Sequence, residues 1–441
     1  MNPKSLNTNK FNFKNPNTDY LKTFIWIYFW LLMFEGGLRK WILPGLASPL
    51  LIIRDPIAII IWFLSIKRNL LKFNIYILIF ISVSLFSIPL AIYFGHGNLG
   101  VAIYGARIFI LHFPLIFIIG NAFSYRDVVK LGKIVMYMIL PMTAIISLQF
   151  FTPQSSFINR AVGGSDSGSG FGGAAGYFRP SGLFSFTSGN VMYYCLANSY
   201  LFFFALSKTK YFNYLSLSVF AIGFIIGMPF CISRSLLFQI GISLIFAIIA
   251  FSKDSKILLQ ILKVFLIVII LYLVLSNFSF FQISTAAFTE RFTSANENEG
   301  GLHGVFIDRF LGGLFGAVFS DKPAPYFGYG IGLGTNVGAQ VTTGTVGFLL
   351  DEGEWGRIIG ELGLVLGLII IINRIALGLD LLIRAYKCVS KQNLLPWFLM
   401  SWGLLNIFQC QLGQPTALGF TVMIGGLAMA SLKHSSANSS N

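Results

Sequence analysis

The sequence predicts an all-α, polytopic membrane protein of about twelve transmembrane helices with two large external loops. Three observations carry that expectation. Hydrophobic residues make up 55% of the chain and charged residues only 11%, a balance that soluble domains do not keep. Apolar runs of bilayer-spanning length recur from end to end. The basic residues fall mostly in short connectors between those runs, where orientation is encoded. The net charge of +15 is therefore read as topology, with the lipid bilayer as partner and no nucleic acid.

Taken in order, residues 1–20 are an Asn- and Lys-rich disordered tail. The single transmembrane domain, 21–432, follows. Hydropathy places spans at about 21–38, 45–65, 73–95, 101–122, 134–151 and 189–206, then at about 213–231, 235–251, 257–277, 356–379, 394–411 and 415–432. No small-residue cleavage site follows the first span, which reads as an uncleaved anchor. Lys67, Arg68 and Lys72, Arg126, Lys130 and Lys133, Lys208 and Lys210, Lys253 and Lys256, and Arg384, Lys387 and Lys391 all fall on the side of the N-terminal tail. By the positive-inside rule that side is cytoplasmic, and so is the tail 433–441.

Two long connectors fall outside. The first, 152–188, contains GGSDSGSGFGGAAG and is flexible by composition. The second, 278–355, starts polar and then offers VFIDRFLGGLFGAVF at 305–319, a short apolar segment suited to the membrane surface. Cys195, Cys231, Cys388 and Cys410 are scattered and read as buried small residues. There is no phosphate loop, no metal-ligand spacing and no internal repeat, so no cofactor is expected. The glycines of FGYGIGLGTN at 327–336 lack the strand–helix context of a dinucleotide loop.

Ionisable groups near hydrocarbon are costly and retained for a reason. Glu35, Arg39, Arg54, Asp55 and Arg107 are expected to pair with one another, and His112 to be a hydrogen-bonded packing residue. Four of the 16 acidic residues sit in DEGEWGRIIGELGLVLG at 351–367, which reads as a solvated helix start or as part of a site. On the external side lie Arg179, Arg234, Arg291 and Arg309. Their planar donor forks suit a diphosphate.

These stretches carry a resemblance. RPSGLFSFTSGNVMYYCLA at 179–197 resembles the Arg-x-x-Gly-x-Phe…Asn segment opening a central span in the bacterial O-antigen ligase and O-antigen polymerase family. ISRSLLF at 232–238 is similar to that family's Ser-Arg motif, and Arg309 with DKPAPYFGYGIGLGTN to its Arg…Pro…Gly-x-Gly-x-Gly stretch. Glu361 and Gly363 match the family's Glu-x-Gly, and Glu352 stands where the ligases have a His. The resemblance covers about residues 175–370 and implies a GT-C-like, metal-independent glycosyltransferase. Such an enzyme takes undecaprenyl-diphosphate-linked oligosaccharide and an acceptor glycan outside the cytoplasmic membrane, alongside other polysaccharide assembly proteins.

The chemistry needs a base for the acceptor hydroxyl and cations for the departing diphosphate. Glu352 is the expected base, with Glu354 or His303 as substitutes. Arg179, Arg234, Arg309 and Arg291 are the expected diphosphate site. Glu361 is expected to serve structure, deeper in the same helix and paired with a neighbouring span. A repeat-unit polymerase is the leading reading, a ligase of finished glycans the next, and a lipid-linked sugar transporter the alternative of another class.

Overall fold

The computed structural model describes residues 16–207, 209, 211–252, 255–298, 315–316, 319, 324–344, 347 and 349–433. The main helices are α1 (Pro16–Gly37), α2 (Arg54–Lys67), α3 (Ile75–Tyr93), α4 (Leu99–Arg107), α5 (Leu115–Ala122), α6 (Tyr125–Phe151), α7 (Thr187–Leu206) and α8 (Tyr214–Phe230). They continue as α9 (Arg234–Phe251), α10 (Ser255–Leu275), α11 (Ser279–Asn298), α12 (Asn336–Thr343), α13 (Glu354–Val389), α14 (Leu395–Gln409) and α15 (Pro415–Ser431). A π turn at Ile108–His112 joins α4 towards α5, so the two form one long hydrophobic rod.

Each of the twelve expected spans falls on helix, but the helices are unequal. Among the described residues, 7 are long and apolar enough to cross a membrane, or up to 8 if the bent pair α10–α11 counts as one. A crossing needs about 20 apolar residues. α8 and α15 have 17 and α14 has 15. α7 spends positions on buried Asn190, Asn198 and Ser199.

α15 is the inner post of the bundle. Its face is small: Gly425 and Gly426 lie against Ile116 and Ile119 of α5, and Gly419 against the Arg54 guanidinium. Small residues let helices approach closely where no hydrophobic drive separates helix from lipid. The embedded charges pair as expected. Glu35 meets Arg39 at 3.3 Å and Arg54 at 3.4 Å; Asp55 meets Arg107 at 2.5 Å and His112 at 2.8 Å. His112 also meets the Tyr28 hydroxyl at 3.1 Å, which makes it a packing residue inside a polar network. The four cysteines are buried and unpaired with one another.

The bundle has two distinct ends. At one, Lys22 ties α1 to Asp127 of α6, and Lys433 donates to the carbonyls of Asn121 and Phe123 at the end of α5. Asn121 also reaches Leu70, and Asn393 reaches Ser431, gathering the basic connectors at this end. At the other end the first long connector is folded, contrary to the flexibility its composition suggests. Asn159 donates to the carbonyls of Gln149, Thr152 and Pro153, and Gly163 N–H to Arg39. Backbone polar groups next to apolar surface need such partners.

The second connector also differs from expectation. Residues 279–298 are helical, bent 112° from α10, and they include the polar TSANEN. Arg309, His303 and most of the expected surface segment 305–319 lie outside the described residues.

Candidate functional site

The site is built on a reversal in α13. Glu354 and Arg374 are separated by 20 positions, which along a straight helix is about 30 Å. Their side chains nevertheless pair at 2.6 Å. Gly363 makes this possible, with φ 76 and ψ 173, a backbone conformation essentially restricted to glycine. There the limb 354–362 ends and the limb 364–389 turns back beside it, so that a Cβ on Gly367 would lie 3.0 Å from Ile359 Cα. The expected continuous span 356–379 is therefore broken, and Glu361 lies two residues before the reversal.

The glycine loop is shaped to seat this reversal. Tyr329 N–H donates to Gly360 O at 2.7 Å and Gly330 N–H to Glu361 O at 3.0 Å. A Cβ on Gly363 would come within 2.0 Å of Tyr326 O. Gly363→Ala therefore meets both backbone strain, about 1–3 kcal/mol, and a backbone clash that no rotamer relieves. The expected result is a sharp fall in monodisperse protein by size-exclusion chromatography. Normal recovery would mean that the reversal is not held by this contact.

The two limbs enclose a buried charge network. Arg357 clasps Glu354 with Nε at 2.8 Å and Nη2 at 2.9 Å, and its Nη1 reaches Glu361 at 2.8 Å. Arg374 completes the pairing of Glu354 and donates to the carbonyls of Ile407 at 2.8 Å and Cys410 at 3.0 Å, capping the end of α14. Leu412 N–H reaches Glu354 Oε2 at 3.1 Å, and Gly334 N–H reaches Glu361 Oε1 at 2.9 Å. Glu361 thus pairs with its own helix and the glycine loop, where a neighbouring span was expected.

Glu354 is occupied on both oxygens and 1% exposed. Glu352 is not. The helix begins only at Glu354, after an extended Gly353 (φ −79, ψ 137), so the two residues do not share a helical wheel. Asp351 accepts from Gly353 N–H at 2.6 Å and shapes the turn. Glu352 is exposed, its backbone carbonyl accepts from the Gln411 amide, and its carboxylate has no ion pair among the described residues.

Asp351, Glu352, Asn336, Arg357, Gln411 and Gln414 line a small open recess of ≈ 10 Å³, room for about one water-sized group. It offers the carboxylates of Asp351 and Glu352, neither in an ion pair among the described residues, with three primary amides and a buried guanidinium. Amides that donate and accept in fixed positions suit hydroxyl-rich ligands.

A second region adjoins it. Arg179 opens the segment 179–186, which is held down by α1 and the π turn Leu38–Ile42 beyond it. Lys40 donates to Ser181 Oγ at 3.1 Å and Gly182 O at 2.6 Å, and Arg39 donates to Ser185 Oγ at 3.1 Å. Arg234 opens α9, and Arg291 lies on α11. α11 reaches both neighbours: Glu290 accepts from Ala175 N–H at 3.0 Å, and Phe292 packs on Phe238 of α9 with ring centroids 6.0 Å apart.

The elements carrying Arg179, Arg234 and Arg291 therefore converge, while Arg309 lies outside the described residues. Ser188 Oγ contacts Gln414 Oε1 at 3.4 Å, which ties this region to the recess.

Sequence reasoning did not single out Arg357, Arg374, Gln411, Gln414, Asn336 or Lys40. Arg374 was within reach, as an arginine inside the apolar run IIIINRIALG. Comparison with family models, with curated proteins and with solved structures returns no match.

Proposed function

We propose that this chain is a polymerase of lipid-linked oligosaccharide repeat units, transferring glycosyl groups from undecaprenyl diphosphate without a metal. The reading also takes the bundle to cross the cytoplasmic membrane twelve times, with the basic end inside and the recess outside. The observation that carries it is the placement of an ion-pair-free carboxylate, Glu352, in an amide-lined recess tied to the arginine-bearing elements by Ser188 and Gln414.

In the proposed step an acceptor hydroxyl oxygen attacks the anomeric carbon and the C–O bond to the diphosphate breaks. Glu352 takes the hydroxyl proton, and undecaprenyl diphosphate leaves with its charge matched by Arg179, Arg234, Arg309 and Arg291. Glu354 and Glu361 hold the reversed limb in place. A ligase would use the same step with a different acceptor.

The test is extension of a synthetic undecaprenyl-diphosphate oligosaccharide by the purified chain in proteoliposomes. A ladder of products supports polymerase, a single transfer to another acceptor supports ligase, and absence of any new glycosidic bond removes both. Within that assay Arg179→Lys and Arg234→Lys keep the charge but lose the bidentate fork. Each is expected to lower turnover by about 10-fold or more at normal protein level. Unchanged turnover in both would remove the arginines from the diphosphate site.

One observation favours a second reading. The broken α13 has the form of the discontinuous helices that transporters use to bind substrate. Transport predicts movement of the lipid-linked sugar across the vesicle membrane with no new glycosidic bond, and the same proteoliposomes report it.

A further inference from the structure

We propose that the cleft between α1 and α2, at the basic end of the bundle, is a binding site for the headgroup of an anionic phospholipid. The cleft encloses ≈ 280 Å³ and is lined by Tyr20 and Phe24 of α1 with Ile60, Leu64, Lys67 and Arg68 along α2 and its end. That is near the lower end of the ~300–1,000 Å³ of small-molecule sites, a size for a headgroup and the first part of its chains. None of its lining residues is acidic.

Its two halves differ in chemistry. Leu64 and Ile60 lie one and two turns before Lys67 on the same stripe of α2, so the apolar wall leads down from the cations. Phe63 and Ile66, at neighbouring positions of α2, are 74% and 55% exposed, which continues the apolar surface outside the cleft. A charged rim above an apolar wall fits an amphiphile and not a free anion.

The cations are available. Arg68 Nη1 is buried without a hydrogen-bond partner among the described residues, a state that an incoming phosphate oxygen would relieve. Nor do the last carbonyls of α2 present a bare negative end. Ser65 O accepts from Arg68 N–H and Leu70 N–H, and Ile66 O from Asn69 N–H, with Asn69 at φ 53 closing the helix. Asp127, at the same end of the bundle, is taken by Lys22. Basic clefts between helices at the inner membrane surface are where anionic headgroups bind. The proposal rests on the apolar helices spanning a membrane and is independent of glycosyl transfer.

The test uses the purified full chain in nanodiscs of phosphatidylcholine carrying graded dioleoyl phosphatidylglycerol, read by native mass spectrometry and thermal unfolding. Wild type is expected to retain phosphatidylglycerol saturably and to unfold at higher temperature with it. Lys67→Gln with Arg68→Gln should weaken retention about 30-fold, from two surface cations. Lys387→Gln with Lys391→Gln, which removes two cations at the same end, should not. Leu64→Trp fills the cleft while keeping both cations and should also abolish retention, with the unfolding temperature in pure phosphatidylcholine reporting that it folds.

Equal retention of phosphatidylcholine, unchanged retention in the cleft variants, or equal loss in the Lys387/Lys391 control would overturn the proposal. So would equal stabilisation by inorganic phosphate alone, which would make the cleft a simple anion site.

Discussion

Glu352→Gln is expected to lower turnover per folded molecule by about 10²- to 10⁴-fold, the loss typical of removing a general base, while the protein level stays normal. The side chain supports no packing: it is exposed, and the hydrogen bond from Gln411 reaches its backbone carbonyl, which glutamine leaves unchanged. Glutamine also keeps the shape of the recess and removes only the ability to take a proton. Lipid-substrate binding should therefore persist. If chain extension runs at the wild-type rate, the carboxylate is only a solvated helix start, and His303 becomes the next base to test.

Glu354→Ala should fail differently, by loss of folded protein. It strands Arg374, which is 0% exposed, and leaves Arg357, 3% exposed, with Glu361 as its remaining counterion. Breaking a buried pair in this way costs about 3–5 kcal/mol, a large part of the ~5–15 kcal/mol that holds a typical domain. Glu354→Gln keeps an acceptor for Arg374 and should recover part of the folded fraction. Size-exclusion profiles and thermal unfolding of the detergent-solubilised protein measure both. A normally folded Glu354→Ala protein with depressed turnover would instead make Glu354 the base.

The positions of the helices were legible because a bilayer demands long apolar runs, and each expected span falls on helix. Which helices cross unaided was less legible. α14 and α15 are short and packed against other helices, so their length reflects neighbours that hydropathy does not see. Pairing of Glu35, Arg39, Arg54, Asp55 and Arg107 followed from the cost of isolated charge in hydrocarbon.

The recess was half legible. Its acidic run stands out in a chain poor in carboxylates, and Gly363 was picked out beside Glu361. That Gly363 reverses the helix was not, because one backbone angle decides it and the apolar run continues through it. With the reversal unseen, nothing pointed to Arg374 as a partner of Glu354, and Glu361 was assigned a partner on another span. Gln411 and Gln414 come from a turn between two late helices, a proximity no local pattern contains.

Under the proposed function, glycosyl transfer from a lipid diphosphate occurs at the recess. It is tested most directly by counting undecaprenyl diphosphate released per glycosidic bond formed, in proteoliposomes of the wild type and of Glu352→Gln. One lipid diphosphate is expected to be released for each repeat unit added by the wild type, with both events reduced together in the variant. Release without bond formation, or bond formation unaffected by Glu352→Gln, would contradict it.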